Sequence, residues 1–164
     1  MKYSLRRADR EIKDRKAIAS LLERMMVGRL GLAYGDEPYV VPLNYLYTEG
    51  CIYLHSALEG RKVDMLKKNP RVCFLVDDPG KPVIHDRGCG ISHVYESVIC
   101  FGRAEMLDDL REKKRILDLM LRKYTDGGDH LEFLKDAMVE KTAVIRIDIE
   151  YMTGKARHPD PLPL

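Results

Sequence analysis

The sequence predicts a mainly β chain of the α+β class: an antiparallel six-stranded barrel with peripheral helices. Three observations predict it. About six runs rich in β-formers recur along the 164 residues, tight polar turns or single helices link nearly all of them, and no G-x-G-x-x-G fingerprint of a doubly wound sheet is present. Composition sets the bounds. At 45% hydrophobic and 33% charged residues the chain can bury a core and still be well hydrated. A net charge of +2 provides no drive toward nucleic acid. No apolar run approaches the roughly 18 residues that span a bilayer, and Met1–Arg7 has no apolar segment behind its charges, which argues against a signal peptide. A cytoplasmic chain with neither nucleic acid nor membrane as partner is expected.

Residues 1–10 carry Arg6, Arg7 and Arg10 around one acid, Asp9, an arm whose role stays open. Asp14 has the character of a helix N-cap. Ile18, Leu21, Leu22, Met25 and Met26 follow at helical spacing, so a helix is expected over about 15–26 with those methionines in the core. Val27–Tyr34 reads as a strand, Gly35-Asp36-Glu37-Pro38 as its turn and Tyr39–Tyr47 as the return strand. Pro42 has no N–H to give a ladder, so that strand is expected to be interrupted or edge-like there, with backbone free to hydrogen-bond a flat polar ligand. After Thr48-Glu49-Gly50, Cys51–Leu54 completes a three-stranded antiparallel meander.

The chain then delivers His55, Ser56, Gly60, Arg61 and Lys62 within eight positions. A helical pattern follows as far as Asn69-Pro70, with Val63, Met65 and Leu66 inward. Strand, small-residue loop and helix start suit an anion. Loop amides and the helix N-terminus supply partial positive charge, Ser56 a donor, Arg61 a bidentate fork and Lys62 a point charge. A solvated basic helix start fits the same residues, and both readings stand at this point.

Arg71–Val76 is a strand, and the proline- and glycine-rich stretch 77–90 is a loop. Tyr95–Met106 is a long strand in which Gly102 marks a bulge or a close approach. Asp108 and Asp109 open a helix over about 109–124 that turns Ile116, Leu117, Leu119 and Met120 inward. Another helix is expected over 129–139, and Ala143–Ile149 alternates as the last strand. Beyond Gly154 the prolines at 159, 161 and 163 predict a mobile tail, so the single domain is drawn at 1–155 and the tail at 156–164.

Several chemistries lose their support. The G-x-S-x-G elbow, H-E-x-x-H and the Walker A pattern are all missing, which removes triad hydrolase, zinc protease and NTPase readings. Cys51, Cys73, Cys89 and Cys100 form no C-x-x-C pair and read as reduced thiols, the first, second and fourth packed in strands. Cys89 lies between His85 and His93 at a spacing that fits no standard zinc pattern, so no metal is expected. His55, at a strand end beside the anion loop, is the candidate functional histidine.

A resemblance runs through these residues. Tyr39-Val40-Val41-Pro42-Leu43-Asn44, Tyr53–Lys62 and Asn69–Phe74 follow in close order, ahead of Tyr95-x-Ser97-Val98-x-x-x-Gly102-Arg103-Ala104 and Ile145-x-Ile147-Asp148-x-x-x-Met152-Thr153-Gly154-Lys155. Together they resemble the 5-nitroimidazole reductase-like branch of the pyridoxamine 5′-phosphate oxidase-like flavoproteins, over about 5–155. Cys100 departs from the glycine expected at its position, which bears on packing and leaves the cofactor residues untouched. The resemblance implies a split barrel and a homodimer with FMN at its interface. It implies that Val40, Val41, Pro42, Leu43 and Asn44 lie against the flavin ring, that Ser56, Ala57, Arg61 and Lys62 hold the phosphate end, and that His55 is the active-site histidine. Tyr95 and Ser97 are implied to approach the flavin from the long strand, across the dimer. The implied activity is NAD(P)H-dependent reduction of a small acceptor such as a nitroaromatic. Two alternatives are a haem-binding or haem-degrading protein of the same broad fold and a flavin-binding module without catalysis.

Overall fold

The computed structural model describes residues 5–83, 92–125 and 134–158. After a 3-10 turn at Ala8–Arg10 come β1 (Glu11–Ile12), α1 (Arg15–Arg24), β2 (Val27–Tyr34), β3 (Glu37–Thr48), β4 (Cys51–Ser56) and α2 (Arg61–Lys68). They are followed by β5 (Arg71–Asp78), β6 (Pro82–Val83), β7 (Ser92–His93), β8 (Tyr95–Met106), α3 (Leu110–Tyr124), α4 (Asp136–Glu140) and β9 (Ala143–Arg157). The main sheet has the order β1-β9-β4-β3-β2-β5-β8, and β8 pairs back onto β9, so six antiparallel strands close into a ring. β1 pairs with β9 at Gly154 and Lys155, beyond the stretch that pairs with β4. The antiparallel six-stranded class with peripheral helices is what the structure has.

Strand alternation fills the ring. Leu30, Ile52, Leu54, Phe74, Val76, Val98, Ile145 and Ile147 are buried inside it, joined by Ile18, Leu21 and Leu22 of α1 and Met65 and Leu66 of α2. Asp14 caps α1 by accepting from Lys16 N at 2.8 Å. Tyr45 meets Phe74 edge-on at 5.1 Å between centroids and donates its hydroxyl to Leu22 O at 2.6 Å, tying α1 to the ring. Residues of the opposite parity (Leu46, Tyr53 and Val144) pack outside the ring under Ile116, Leu117 and Met120 of α3 and Val139 of α4. Burial on both faces explains why Cys51–Leu54 reads as an unbroken apolar run. Among the described residues no helix is long and apolar enough to cross a membrane.

β3 runs unbroken through Pro42, contrary to one half of the expectation, and is edge-like, as the other half has it. Its ladder to β2 runs from Glu37 to Asn44, whereas its ladder to β4 covers only Tyr45–Thr48. Among the described residues, 37–44 therefore have a strand neighbour on one side only, and Pro42 sits where a missing donor is tolerated. Gly102 is both bulge and close approach: the β8–β9 register shifts between Phe101 and Gly102, and a Cβ there would lie 2.0 Å from Asp148 O.

Five other expectations change. Met25 packs against the core but Met26 is 42% exposed, because α1 ends at Arg24 and the chain is already extended at Met25. Cys100 is buried, while Cys51 and Cys73 are only half-buried. The range 77–90 holds the end of β5 and all of β6, whose two residues pair with β7, too short to leave a pattern. Of the helix expected over 129–139, the described residues hold α4, Asp136–Glu140, and 129–133 lie outside the described residues. β9 continues to Arg157, because Ala156 pairs with Glu96 and Arg157 with Tyr95; the strand thus reaches into the range expected as tail.

Candidate functional site

β4 ends at Ser56, and Gly60 turns the chain into α2 at φ 113° and ψ 169°, a conformation open essentially to glycine. No side chain caps α2, and its first backbone bond is Asp64 N to Gly60 O at 3.0 Å. The amides of Arg61, Lys62 and Val63 therefore face out of the helix start, where the helix dipole adds positive potential. Arg61 reaches back from this start to the one-sided stretch of β3. Its guanidinium pairs with Glu37 at 2.6 Å and lies 4.6 Å over the Tyr39 ring. An exposed pair of this kind contributes about 0–1 kcal/mol, so an anionic ligand can displace Glu37 at little cost.

Lys62 is half-buried, and burial holds its ammonium below the ordinary lysine range. Burial, and then the charge of Lys62, lower the pKa of His55, so its imidazole is neutral at pH 7. His55 is exposed by its overall accessible area and lines the cavity described below. Ser56 Oγ donates to Ala57 O at 2.8 Å. Val40, Pro42 and Asn44 form the exposed row of β3, while Val41 and Leu43 turn toward the inner core. The β3 edge, His55, Ser56, Ala57, Arg61 and Lys62 thus occupy three elements, β3, the end of β4 and the start of α2, with the loop that joins the last two.

Tyr95 and Ser97 do not join them in the chain. They lie on β8, with β2 and β5 between β8 and β3 in the sheet. Burial works to raise the Tyr95 phenol pKa, but hydrogen bonds from Arg10 and Lys155 outweigh it and lower it. The arginine arm thereby acquires a contact that the sequence left open. Ser97 Oγ donates to Lys155 O at 3.4 Å. His85 and Cys89 lie outside the described residues, and His93 Nδ1 donates to Pro79 O at 2.8 Å.

A cavity of about 260 Å³ opens beside Asn44 and His55, walled by α3 and α4. Its wall was missed in the sequence: Leu117 and Met120 read simply as core positions, and helical periodicity does not separate a packed face from a cavity wall. Glu37 and Tyr39, the partners of Arg61, were likewise invisible without the fold.

The sequence family described as pyridoxamine 5′-phosphate oxidase matches residues 14–156. The chain belongs to this family. Among solved structures, this family member is similar to a candidate 5-nitroimidazole antibiotic resistance protein from Bacteroides thetaiotaomicron, at 33% identity and TM-score 0.78 over 88% of this chain and 85% of that one. It is also similar to a FAD-binding protein from Mesorhizobium loti, at 30% identity and TM-score 0.68 over 91% of this chain and 98% of that one. The flavocytochrome Anf3 of Azotobacter vinelandii shares the fold, with TM-score 0.85 at 22% identity over 98% of this chain and 75% of that one. An uncharacterised curated protein of Rhizobium meliloti is 32% identical over 50 residues, so the match spans about a third of either chain (30% of this one, 32% of that).

Proposed function

We propose that this family member is an FMN-binding flavoprotein that uses NAD(P)H to reduce a small acceptor. One observation carries the reading: an uncapped helix start bearing Arg61 and Lys62 adjoins a strand edge, residues 37–44, that has no second strand partner among the described residues. The donor set fits the group. Ser56, the α2 amides, Arg61 and Lys62 would hold the phosphate, and the exposed row Val40, Pro42 and Asn44 would receive the flat ring. When bound, a flavin supplies hydride acceptance from the nicotinamide and electron delivery onward. The chain's own residues bind, orient and exclude water. The Asn44 amide would offer a donor at the ring edge, and neutral His55 would orient the acceptor or give it a proton. The relatives named as a resistance protein for 5-nitroimidazoles and as FAD-binding favour a flavin and a nitroaromatic acceptor.

A homodimer completes this reading. The outer face of β3, β2, β5 and β8 carries Val40 at 64% and Val27 at 41% exposure, with Pro42, Leu75 and Phe101 on the same side. A second copy laid there would cover that apolar face and bring its own Tyr95 and Ser97 toward the β3 edge. The haem alternative draws less support, since it leaves the cationic helix start unused and the cavity beside His55 is smaller than the roughly 300–1,000 Å³ of common ligand pockets.

Anaerobic mixing of the flavin-loaded protein with NADH and then NADPH tests the catalytic part. Bleaching of the flavin bands, followed by reoxidation when a nitroaromatic is added, is the expected result. Bound flavin that neither nucleotide reduces would leave a non-catalytic module. His55→Ala should slow the second step; full turnover in that variant removes the proton-donor role.

A further inference from the structure

The cavity beside His55 separates its polar and apolar chemistry sharply. Asn44 and His55 stand on one side, and Leu117, Met120, Leu121 and Val139 form most of the rest. Two further polar groups in the wall are already satisfied within the protein. Tyr124 Oη accepts from Tyr45 N at 2.8 Å and donates to Met26 O at 2.5 Å. Thr142 Oγ1 donates to Met138 O at 2.8 Å. Among the described residues, the side chains of Asn44 and His55 have no hydrogen-bond partner; His55 is left for a ligand, and the Asn44 amide, with two donors and an acceptor, keeps a group for one beside the flavin contact proposed above. Among the described residues no aspartate, glutamate, lysine or arginine lines the space, and the cations Arg61 and Lys62 belong to the helix start instead.

We infer that this cavity binds an uncharged, flat, apolar molecule of about two fused rings, held at its polar edge by Asn44 and His55. Resting on the flavoprotein reading, this is the place of the electron acceptor. Size sets the ring count: an apolar cavity of ~150 Å³ holds one benzene, and this one is about 260 Å³. Charge sets the class. A carboxylate or phosphate entering such a wall would lose hydration with no lysine or arginine among the described lining residues to replace it, so the wall disfavours anionic acceptors and the phosphates of a nicotinamide. The neutral imidazole of His55 and the amide of Asn44 can each donate to or accept from a carbonyl, nitro or hydroxyl oxygen.

Isothermal calorimetry on the full chain, as purified with its cofactor, tests this with two probes of equal shape at pH 7. Uncharged 2-naphthol is expected to bind at one site per chain, and anionic 2-naphthoate at least tenfold more weakly. Met138 lines the cavity and is 56% exposed, so Met138→Trp should fill the mouth and cost 2-naphthol at least tenfold in affinity. Leu110→Trp, on α3 but outside the cavity lining, should cost nothing. Leu121→Phe reads the same loss if Met138→Trp does not fold. Equal binding of the two probes, or unchanged binding in both cavity variants, would overturn the inference. Flavin content, read from absorption in the same samples, separates the two claims. Selective 2-naphthol binding by a flavin-free protein would support the cavity's ligand class while removing the acceptor role.

Discussion

Gly60→Ala perturbs the helix start through the backbone alone. A Cβ at Gly60 meets nothing within 4 Å, so steric crowding is absent, yet φ is 113°. A non-glycine residue in that region costs about 1–3 kcal/mol. For a chain of this size each kcal/mol lowers Tm by about 2–4 °C, so a cost near 2 kcal/mol gives a fall of about 4–8 °C. If the loop relaxes instead, the amides of Arg61 and Lys62 lose their alignment. Each hydrogen bond to a charged group contributes roughly 1.5–3 kcal/mol, which corresponds to about 10–100-fold in the Kd for FMN. Gly50→Ala is the matched control. It sits in the β3–β4 turn at φ 74° with nothing within 4 Å, at the opposite end of β4 from Ser56. Thermal melts and fluorescence titration with FMN would be run on both variants. Both should melt lower, and only Gly60→Ala should weaken FMN. An FMN affinity within twofold of wild type in Gly60→Ala, with Tm reduced as in the control, would refute the helix-start assignment.

Three further outcomes follow from the same geometry. Arg61→Ala and Lys62→Ala should each weaken FMN by about 10–100-fold while barely changing riboflavin, since only the charged phosphate contact is lost; paired titrations check this. His55 titrates below the ordinary histidine value of 6.5 because burial and Lys62 disfavour its cation. The unfolded chain therefore binds a proton that the folded one refuses, so stability is lost as pH falls below about 6.5. His55→Gln should flatten that acid slope in melts from pH 7.5 to 5, and an unchanged slope would assign it to other groups. Tyr124→Phe should lower stability by about 1–3 kcal/mol, because Tyr45 N and Met26 O lose a shared partner. Denaturant midpoints would read it.

Much of this was legible in residue order. Alternation located β2, β8 and the start of β9, and Asp14 and Asp109 marked the starts of α1 and α3 because each side chain accepts from the helix's own amides. Pro42 announced the one-sided stretch of β3, since a missing donor is tolerated only where a ladder is absent. The small-residue loop before Arg61 announced the helix start that no side chain caps. Other features depend on contacts distant in sequence. Arg61 meets Glu37 across 24 positions and Tyr124 meets Tyr45 across 79, and neither pair has a local signature. The cavity is hidden for the same reason, because its wall joins α3, α4 and the β3–β4 rim. Ala156 and Arg157 read as tail because only pairing with β8 makes them strand.

The most direct test of the central claim is the visible absorption spectrum of protein purified without added cofactor, with mass analysis of whatever denaturation releases. Flavin bands and the mass of FMN are the predicted result. A Soret band would put haem in place of flavin, and a colourless protein that also fails to bind added FMN would contradict the flavoprotein reading outright.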